Sequence, residues 1–231
     1  MLGHKLQNLL FFDLETTGYK ETFEEVQEDN PRLAKLWEKR CVYLQSREGE
    51  ALTPSELWKT NSGLHAEFGK IVCASFGYYD DIGVPTFQSY YGDDEKENLI
   101  LIKKLLQKIH TGGMDLCGHN IKGFDIPYLC KRFLANDIIP PVIIQTHNKK
   151  PWELTHFDTQ EFWSFASFGQ KYSSLDLLTC TMRIESPKEN MEGNMVHEEY
   201  WTNSNVEGIK DYCEQDVFAC MKLIKKISEM E

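Results

Sequence analysis

The feature that most constrains the fold is a short apolar run that ends in two acidic residues. The run is Leu9–Phe12, and Asp13, Leu14 and Glu15 follow it directly. Continuous apolar character up to a stop at Thr16–Gly18 predicts a central β-strand that is covered on both faces. Because side chains alternate along a strand, Asp13 and Glu15 point to one face and Leu14 to the other. The chain is therefore predicted to contain a buried strand that presents two carboxylates side by side.

The composition predicts one compact domain that spans residues 1–231. A chain of 231 residues with 41% hydrophobic content can bury a sizeable core. Its 13 Phe and 5 Trp residues are typical of a packed interior, and a 26% charged fraction with scattered apolar runs is not typical of disorder. One domain with insertions is therefore the expected organisation.

Several features of the sequence indicate where in the cell the protein is located. No apolar stretch approaches the roughly 18 to 20 residues that a membrane span requires, and the N-terminus has no signal-peptide pattern. The 7 cysteines never form a C-x-x-C pair, which argues against a structural zinc site. We therefore expect a cytoplasmic protein with free thiols and no membrane association.

The formal charge of −11 limits the kinds of nucleic-acid binding that the chain can perform. Binding over a long tract of phosphates relies on an extended basic surface, so this protein is not expected to coat DNA. An acidic surface is compatible with an enzyme that binds only a few terminal nucleotides, through metal ions. The basic doublets at residues 131–132 and 149–150 are candidates for contact with the substrate backbone, although short basic doublets are usually ordinary solvated surface.

Two segments follow the first strand. From about residue 19 to residue 65 the sequence is charged, contains prolines and carries an apolar stripe at helical spacing, which predicts an inserted helical excursion. The runs 71–76 and 86–91 predict two strands joined by a turn at residues 80–83. We expect this hairpin to lie against the first strand.

The later segments alternate between strands and helices. An apolar repeat from Leu99 to Ile109 lies between acidic residues and a Gly-Gly stop, which predicts a helix. A short strand near residues 116–118 leads to a helix that begins close to Asp125. Residues 207–230 are predicted to form a helical pair or one bent helix.

Each candidate functional residue also has an ordinary structural interpretation. Two acids at a strand end are usually solvated. Asp125, two residues before Pro127, has the pattern of a helix N-cap. Tyr212 and Asp216, four residues apart on a predicted helix, are typical of a solvated helix face. Judged separately, none of these patterns indicates an active site.

The joint occurrence of the patterns, in this order, indicates a function. The three blocks are Phe12–Gly18, Asn120–Leu129 and Tyr212–Asp216. Together they resemble the sequence blocks of the DEDDy 3′-5′ exonucleases, and the second is most similar to the proofreading exonuclease domain of family B DNA polymerases. Residue 211 is Asp, where the His subclass has His, so the Tyr subclass is the match. The resemblance to stand-alone bacterial relatives of that domain extends to Gly69–Cys73 and Ser186–Lys188.

The resemblance implies a ribonuclease H-like α/β fold with a mixed five-stranded sheet flanked by helices and a helical insertion after the first strand. It also implies phosphodiester hydrolysis with two divalent ions, Mg²⁺ or Mn²⁺. Four carboxylates and a phosphate crowd one site, and two cations roughly 4 Å apart would neutralise most of that charge. The implied metal ligands are Asp13, Glu15, Asp125 and Asp216.

The same resemblance implies a role for each residue. Asp13 would bridge both ions, and Glu15 and Asp216 would complete the site that binds the attacking water. Asp125 would hold the second ion, partly through water, and Tyr212 would position the attacking water. The candidate contacts to the terminal nucleotide are Thr16 and Asn120.

The expected function is therefore 3′-5′ exonuclease activity on single-stranded nucleic acid, with DNA preferred to RNA as the partner. A ribonuclease that trims RNA 3′ ends would use the same carboxylates and differ in its contacts to the 2′-hydroxyl. A non-catalytic nucleic-acid-binding module of the same fold is the third possibility. It is disfavoured because such proteins normally lose a metal ligand. Nothing in the sequence indicates a protein partner or what the excursion binds.

Overall fold

The computed structural model describes residues 6–48, 52–150, 153–165, 172–185 and 191–230, so Ser186–Lys188 lies outside the described residues. One five-stranded sheet organises these segments, with strand order β3-β2-β1-β4-β5. The strands are β1 Leu9–Gly18, β2 Gly69–Tyr79, β3 Pro85–Tyr91, β4 Asp115–Gly118 and β5 Phe157–Asp158. The predicted central strand is thus the middle strand of the sheet, and the predicted hairpin is confirmed as β2 and β3.

The sheet is mixed, as predicted for a ribonuclease H-like fold. Strand β1 pairs antiparallel with β2 and parallel with β4, while β2 and β3 are antiparallel and β4 and β5 are parallel. The predicted stop at Thr16–Gly18 is wrong, because β1 continues to Gly18. Those last residues gain hydrogen-bonding partners in β2, where Gly18 lies opposite Gly69.

Helices cover both faces of the sheet. They are α1 Phe23–Asp29, α2 Pro31–Glu48, α3 Pro54–Asn61, α4 Glu95–Thr111, α5 Asp125–Ala135, α6 Thr159–Ser164, α7 Leu175–Thr181, α8 Val196–Trp201 and α9 Val206–Ser228. The predicted helix at 99–109 is confirmed as α4, and Asp94 caps its N-terminus. The C-terminal segment is one helix, α9, rather than a pair. Among the described residues, no helix is both long enough and apolar enough to cross a lipid bilayer.

The alternation of side chains along β1 divides the core between two layers. Leu10, Phe12 and Leu14 pack in a cluster that includes residues of α4 and α5. Leu9 and Phe11 pack on the opposite face, in a cluster formed largely by α9. Each such buried side chain contributes about 1.5–3 kcal/mol relative to full exposure. Asp13 and Glu15 belong to the second set by spacing, so they face α9.

A glycine allows α9 to approach the sheet closely. A Cβ atom at Gly77 of β2 would lie 2.7 Å from Cγ1 of Val217 and 2.8 Å from the sulfur of Met221. Contacts that short are not tolerated, so a side chain at this position would push α9 away. The close approach at Gly77 therefore holds α9 against β2, and the turns of α9 that precede Val217 carry Tyr212 and Asp216.

The helices predicted between residues 19 and 65 are present, as α1, α2 and α3. These helices share a small core around Trp37 and Trp58, whose rings lie edge to face with centroids 5.2 Å apart. Thr22 and Thr53 begin α1 and α3 with capping boxes. The excursion thus has its own apolar cluster, and its last residues border the end of β1.

Candidate active site

The five residues predicted to be catalytic meet in one cleft at the end of β1. Asp13 and Glu15 come from β1, Asp125 from the start of α5, and Tyr212 and Asp216 from α9. The cleft has a volume of about 340 Å³, and all five side chains line it together with Asn120. We call it the carboxylate cleft. Three segments far apart in the sequence therefore converge on one place.

Asp125 is not the helix N-cap that its local sequence suggests. Phe124 occupies the N-cap position, and Asp125 is the first residue of α5. Its Oδ1 accepts a hydrogen bond from the backbone N–H of Leu14 at 3.1 Å. This contact spans the gap between α5 and β1, and it fixes the Asp125 carboxylate beside the two acids of the strand.

Cys213 is a buried residue in contact with Asp13 that the sequence patterns did not reveal. Its buried thiol donates to Oδ2 of Asp13 at 3.6 Å and approaches the Asp13 carbonyl oxygen at 3.4 Å. Potential ligand atoms of Asp13, Glu15 and Cys213 lie within 4.8 Å of one another. Helical spacing could have identified Cys213, because it lies three residues before Asp216 and shares that side of α9.

Burial and mutual repulsion perturb the acids of the cleft. Burial raises the pKa of Asp13 well above its usual value, and the charges of Glu15, Asp125 and Asp216 raise it further. Burial raises the pKa of Asp125 to about 7, against the opposing effect of its hydrogen bonds from backbone N–H groups. Without a cation, the cleft therefore disfavours the full set of negative charges.

The donor set of the cleft fits a hard divalent cation. Carboxylate oxygens are the ligands that Mg²⁺ and Mn²⁺ prefer, and a bound cation would offset the repulsion that raises the pKa of Asp13. The nearby Cys213 thiol is protonated in this setting, since burial raises its pKa well above the usual value. Its protonated form is a hydrogen-bond donor to Asp13 rather than a ligand.

Tyr212 lies beside the carboxylates of the cleft, and its phenol is uncharged. Burial raises its pKa strongly, and the charges of Asp216, Glu15 and Asp13 raise it further. A hydrogen bond to Asp216 also contributes. The hydroxyl therefore keeps its proton at neutral pH and can donate a hydrogen bond, but it cannot act as a phenolate base.

The two predicted substrate contacts occupy different positions. Asn120 lines the carboxylate cleft and has a φ angle of 59°, a left-handed conformation that Asn tolerates better than most residues. Thr16 lines an adjoining pocket rather than the carboxylate cleft itself. Its hydroxyl donates to the carbonyl oxygen of Gly63 at 2.8 Å, so it ties the end of β1 to the end of the excursion.

Other polar residues that stand out in the sequence have structural partners. Arg132 is not solvated surface as predicted, because its guanidinium bonds the Glu95 carboxylate, at 2.6 Å for Nη2 and Oε2. His197 lies between the Thr17 hydroxyl and the Glu21 carbonyl oxygen, each 2.9 Å away. These residues hold the scaffold around the cleft.

The raised pKa values predict how the stability of the metal-free protein depends on pH. A carboxyl whose folded-state pKa is raised contributes stability that is fully present below its unfolded pKa of about 3.9. For Asp125 that stability is lost as the pH rises through about 7. We expect the melting temperature of the metal-free wild type to fall more steeply between about pH 4 and pH 7 than that of Asp125→Asn. Thermal melting in chelator measures this difference, and parallel curves would contradict the assignment.

Comparison with known proteins points to nucleases. Residues 63–230 match a family model described as a predicted 3′-5′ exonuclease related to the exonuclease domain of PolB. That range contains Asn120, Asp125, Tyr212 and Asp216. Asp13 and Glu15 precede it, and the structure brings them to the same cleft. A comparison with curated protein sequences gave no match.

Solved structures share the fold. The family B DNA polymerase from the hyperthermophilic archaeon Pyrobaculum calidifontis superposes with a TM-score of 0.54 at 16% identity, over 95% of this chain and 24% of the polymerase chain. A product-bound structure of exonuclease I gives a TM-score of 0.44 at 12% identity, over 97% of this chain and 44% of that chain. This chain thus spans about a quarter of the polymerase. The superposition on the polymerase supports the fold assignment.

Proposed function

This chain belongs to the family of predicted 3′-5′ exonucleases related to the exonuclease domain of PolB, and we propose that it releases nucleotides from the 3′ end of single-stranded DNA in a metal-dependent reaction. The observation that supports this most directly is the convergence of Asp13, Glu15, Asp125 and Asp216 on one cleft. Four carboxylates in one cleft, three of them buried, are costly without a bound cation. Their arrangement is therefore better explained by metal binding than by a contribution to the stability of the fold.

The four carboxylates would hold two Mg²⁺ or Mn²⁺ ions. When bound, such ions lower the pKa of water and stabilise the negative charge of the phosphoryl transition state. Asp13 is central among the acids, because the charges of the three others all act on it. It is accordingly the residue that we assign to both ions. Asp125 is held by the Leu14 N–H, so its carboxylate is oriented before any ion binds.

Tyr212 would orient the attacking water. Its hydroxyl is a neutral donor beside Asp216, and its strongly raised pKa keeps the proton in place. A donor fixed in this way can hold a lone pair of the water and leave another directed at phosphorus. The deprotonation of the water then depends on the ion site and not on Tyr212.

Thr16 and Asn120 would contact the terminal nucleotide from two sides of the carboxylate cleft. Thr16 lines the pocket beside Glu15, while Asn120 lines the cleft on the side of Asp125. We further propose that residues 1–231 form one exonuclease domain, with the excursion at about 19–65 as an insertion that shapes this pocket. Gly63 and Leu64, at the end of the excursion, both line it.

Replacement of Tyr212 by Phe is expected to lower turnover by about 10 to 1,000-fold, the usual range for loss of one positioning hydrogen bond. The affinity for Mg²⁺ should be nearly unchanged, because the phenol is not a metal ligand. Turnover of a labelled single strand at increasing Mg²⁺ measures both quantities. A large rise in the Mg²⁺ requirement would show instead that Tyr212 supports the ion site directly.

The substrate preference tests the proposed function as a whole. We expect distributive release of nucleotides from short single strands and frayed ends, with little affinity for intact duplex, because a chain of net charge −11 has a weak attraction for a duplex. A 5′-labelled single-stranded DNA, its duplex and an RNA of the same sequence should be compared side by side. Nanomolar binding to the duplex at physiological salt would contradict the proposal. Faster digestion of the RNA would favour the RNA-trimming alternative.

A further inference from the structure

The carboxylate cleft adjoins two spaces that differ in size. The larger, about 460 Å³, shares Asn120 with the carboxylate cleft, and we call it the upstream cleft. Its lining includes Asn120, Lys122, Gly123, Thr146, Lys149 and Gln160. The smaller, about 150 Å³, shares Leu14, Glu15, Leu64 and Phe124 with the carboxylate cleft, and we call it the terminal pocket.

We propose that the upstream cleft binds the nucleotides of a DNA single strand that precede the scissile phosphate, and that Lys122 and Lys149 contact their backbone phosphates. This inference rests on the proposed exonuclease function. It assigns a direction to the strand: the 3′-terminal nucleotide faces the terminal pocket, and the rest of the strand leaves past Asn120. Neither lysine belongs to the catalytic set.

The sizes of the two spaces decide the direction. Sites for small ligands usually measure about 300–1,000 Å³, so the terminal pocket, at about 150 Å³, is too small for a strand of several nucleotides. It is also walled by His197, which bridges Thr17 and the Glu21 carbonyl oxygen. The upstream cleft falls within the usual range, and Lys149 also lines a further groove beyond it. A strand can therefore continue on that side.

The floor of the upstream cleft is held in place by Asp158. The Asp158 carboxylate accepts backbone hydrogen bonds from Asn120 at 3.0 Å, Lys122 at 2.9 Å and Gln160 at 2.9 Å. Its oxygens are thus directed at backbone N–H groups, which reduces its repulsion of a phosphate. The residues between β4 and α5 are consequently fixed, including Asn120 at the junction of the two clefts.

The two lysines place positive charge in the upstream cleft of a protein whose net charge is −11. Lys149 is exposed, and Lys122 is partly exposed with its ammonium 2.7 Å from Glu161. A surface pair of this kind is weak, so a phosphate can compete with Glu161 for Lys122. Lys149 belongs to one of the two basic doublets, and its position in the cleft favours contact with the substrate over ordinary solvated surface.

The test compares a substrate that has backbone phosphates upstream of the scissile phosphate with one that has none. A thymidine dinucleotide has only the scissile phosphate, whereas a single strand of about ten nucleotides extends well beyond it. For the longer strand, Lys149→Ala and Lys122→Gln are each expected to raise KM about threefold to tenfold with little change in kcat. The slope of log KM against log salt concentration should fall by about 0.7 for each lysine. Dinucleotide hydrolysis should be unchanged.

Matched variants separate a local contact from a general charge effect. Lys104, exposed on α4, carries the same charge outside both clefts, so Lys104→Ala should leave KM for the longer strand unchanged. Glu161→Gln frees the Lys122 ammonium and should lower KM for that strand. The inference is overturned if Lys149→Ala and Lys122→Gln behave like Lys104→Ala, or if they impair the dinucleotide as much as the longer strand.

A binding measurement distinguishes failure of this inference from failure of the proposed function. Fluorescence anisotropy of a labelled single strand with Asp13→Ala as background reports on the upstream cleft without turnover. The lysine variants should weaken this binding threefold to tenfold as well. If the wild type hydrolyses neither substrate but binding depends on the two lysines, the cleft assignment stands and the exonuclease proposal falls. If the lysine variants bind the single strand as tightly as the Asp13→Ala background, the cleft assignment is wrong.

Discussion

Replacement of Asp13 by Ala is expected to reduce turnover on a labelled single strand by about a thousandfold or more, which corresponds to a loss of roughly 4 kcal/mol of transition-state stabilisation. Asp13 is the acid on which the charges of Glu15, Asp125 and Asp216 all act, so its removal disrupts the proposed ion sites together. The fold should survive, because Asp13 is only partly buried in the cleft and the contact of its carboxylate with α9 is a weak hydrogen bond from the Cys213 thiol. In the metal-free state we expect the variant to be at least as stable as the wild type, because removal of the Asp13 carboxylate relieves its repulsion with Glu15, Asp125 and Asp216.

Thermal melting with and without Mg²⁺ should accompany the turnover measurement. The wild type is expected to gain stability from Mg²⁺ by mass action, and Asp13→Ala should gain much less. Asp81→Ala, in the exposed turn between β2 and β3, removes the same charge far from the cleft and should leave turnover unchanged. If Asp13→Ala keeps nearly wild-type turnover but melts at a lower temperature than the wild type, the acids serve to stabilise the fold and the exonuclease proposal is wrong.

Removal of divalent metal is expected to abolish nucleotide release, and Mg²⁺ or Mn²⁺ should restore it. The cleft offers carboxylate oxygens, which suit these hard ions, and the Cys213 thiol beside them is held protonated by burial. The requirement should rise at acidic pH, because protons compete with the ions for Asp125, whose pKa is raised to about 7. Release of labelled nucleotide in a chelator series, followed by metal addition, measures this effect.

The control for this experiment is whether the loss of nucleotide release is reversible. Chelated protein should keep its fold by circular dichroism, and activity should return on addition of metal without refolding. Asp125→Asn should need more Mg²⁺ than the wild type at neutral pH but show a weaker dependence on acidification. Full activity in excess chelator would contradict the metal-dependent mechanism.

Much of the fold follows from local patterns in the sequence. Alternation along Leu9–Glu15 predicted a strand with two acids on one face, and β1 has that arrangement. Helical spacing predicted α4, and it also placed Tyr212 and Asp216 on one side of α9. Such predictions succeed because a strand or helix repeats its geometry every few residues, so that neighbouring residues determine which side chains share a face.

The convergence of the three blocks was inferred from a resemblance and not from any local pattern. Locally, Asp125 is an N-cap candidate, and only the packing of α5 beside β1 gives its carboxylate the Leu14 N–H as a partner. Helical spacing places Cys213 on the same side of α9 as Asp216, but its contact with Asp13 joins positions 200 residues apart and follows only from the packing of α9. Contacts of that separation depend on strand order and on the close approach of α9 at Gly77.

The sequence by itself determined the elements, the faces of β1 and α9, and the set of acids that could act together. The tertiary structure decided which spaces adjoin those acids: a terminal pocket bordered by the excursion and an upstream cleft that contains Lys122 and Lys149. The physical reason is that a cleft is bounded by segments distant in the chain, whose separation is set by core packing and sheet register. Local periodicity carries no information about that separation.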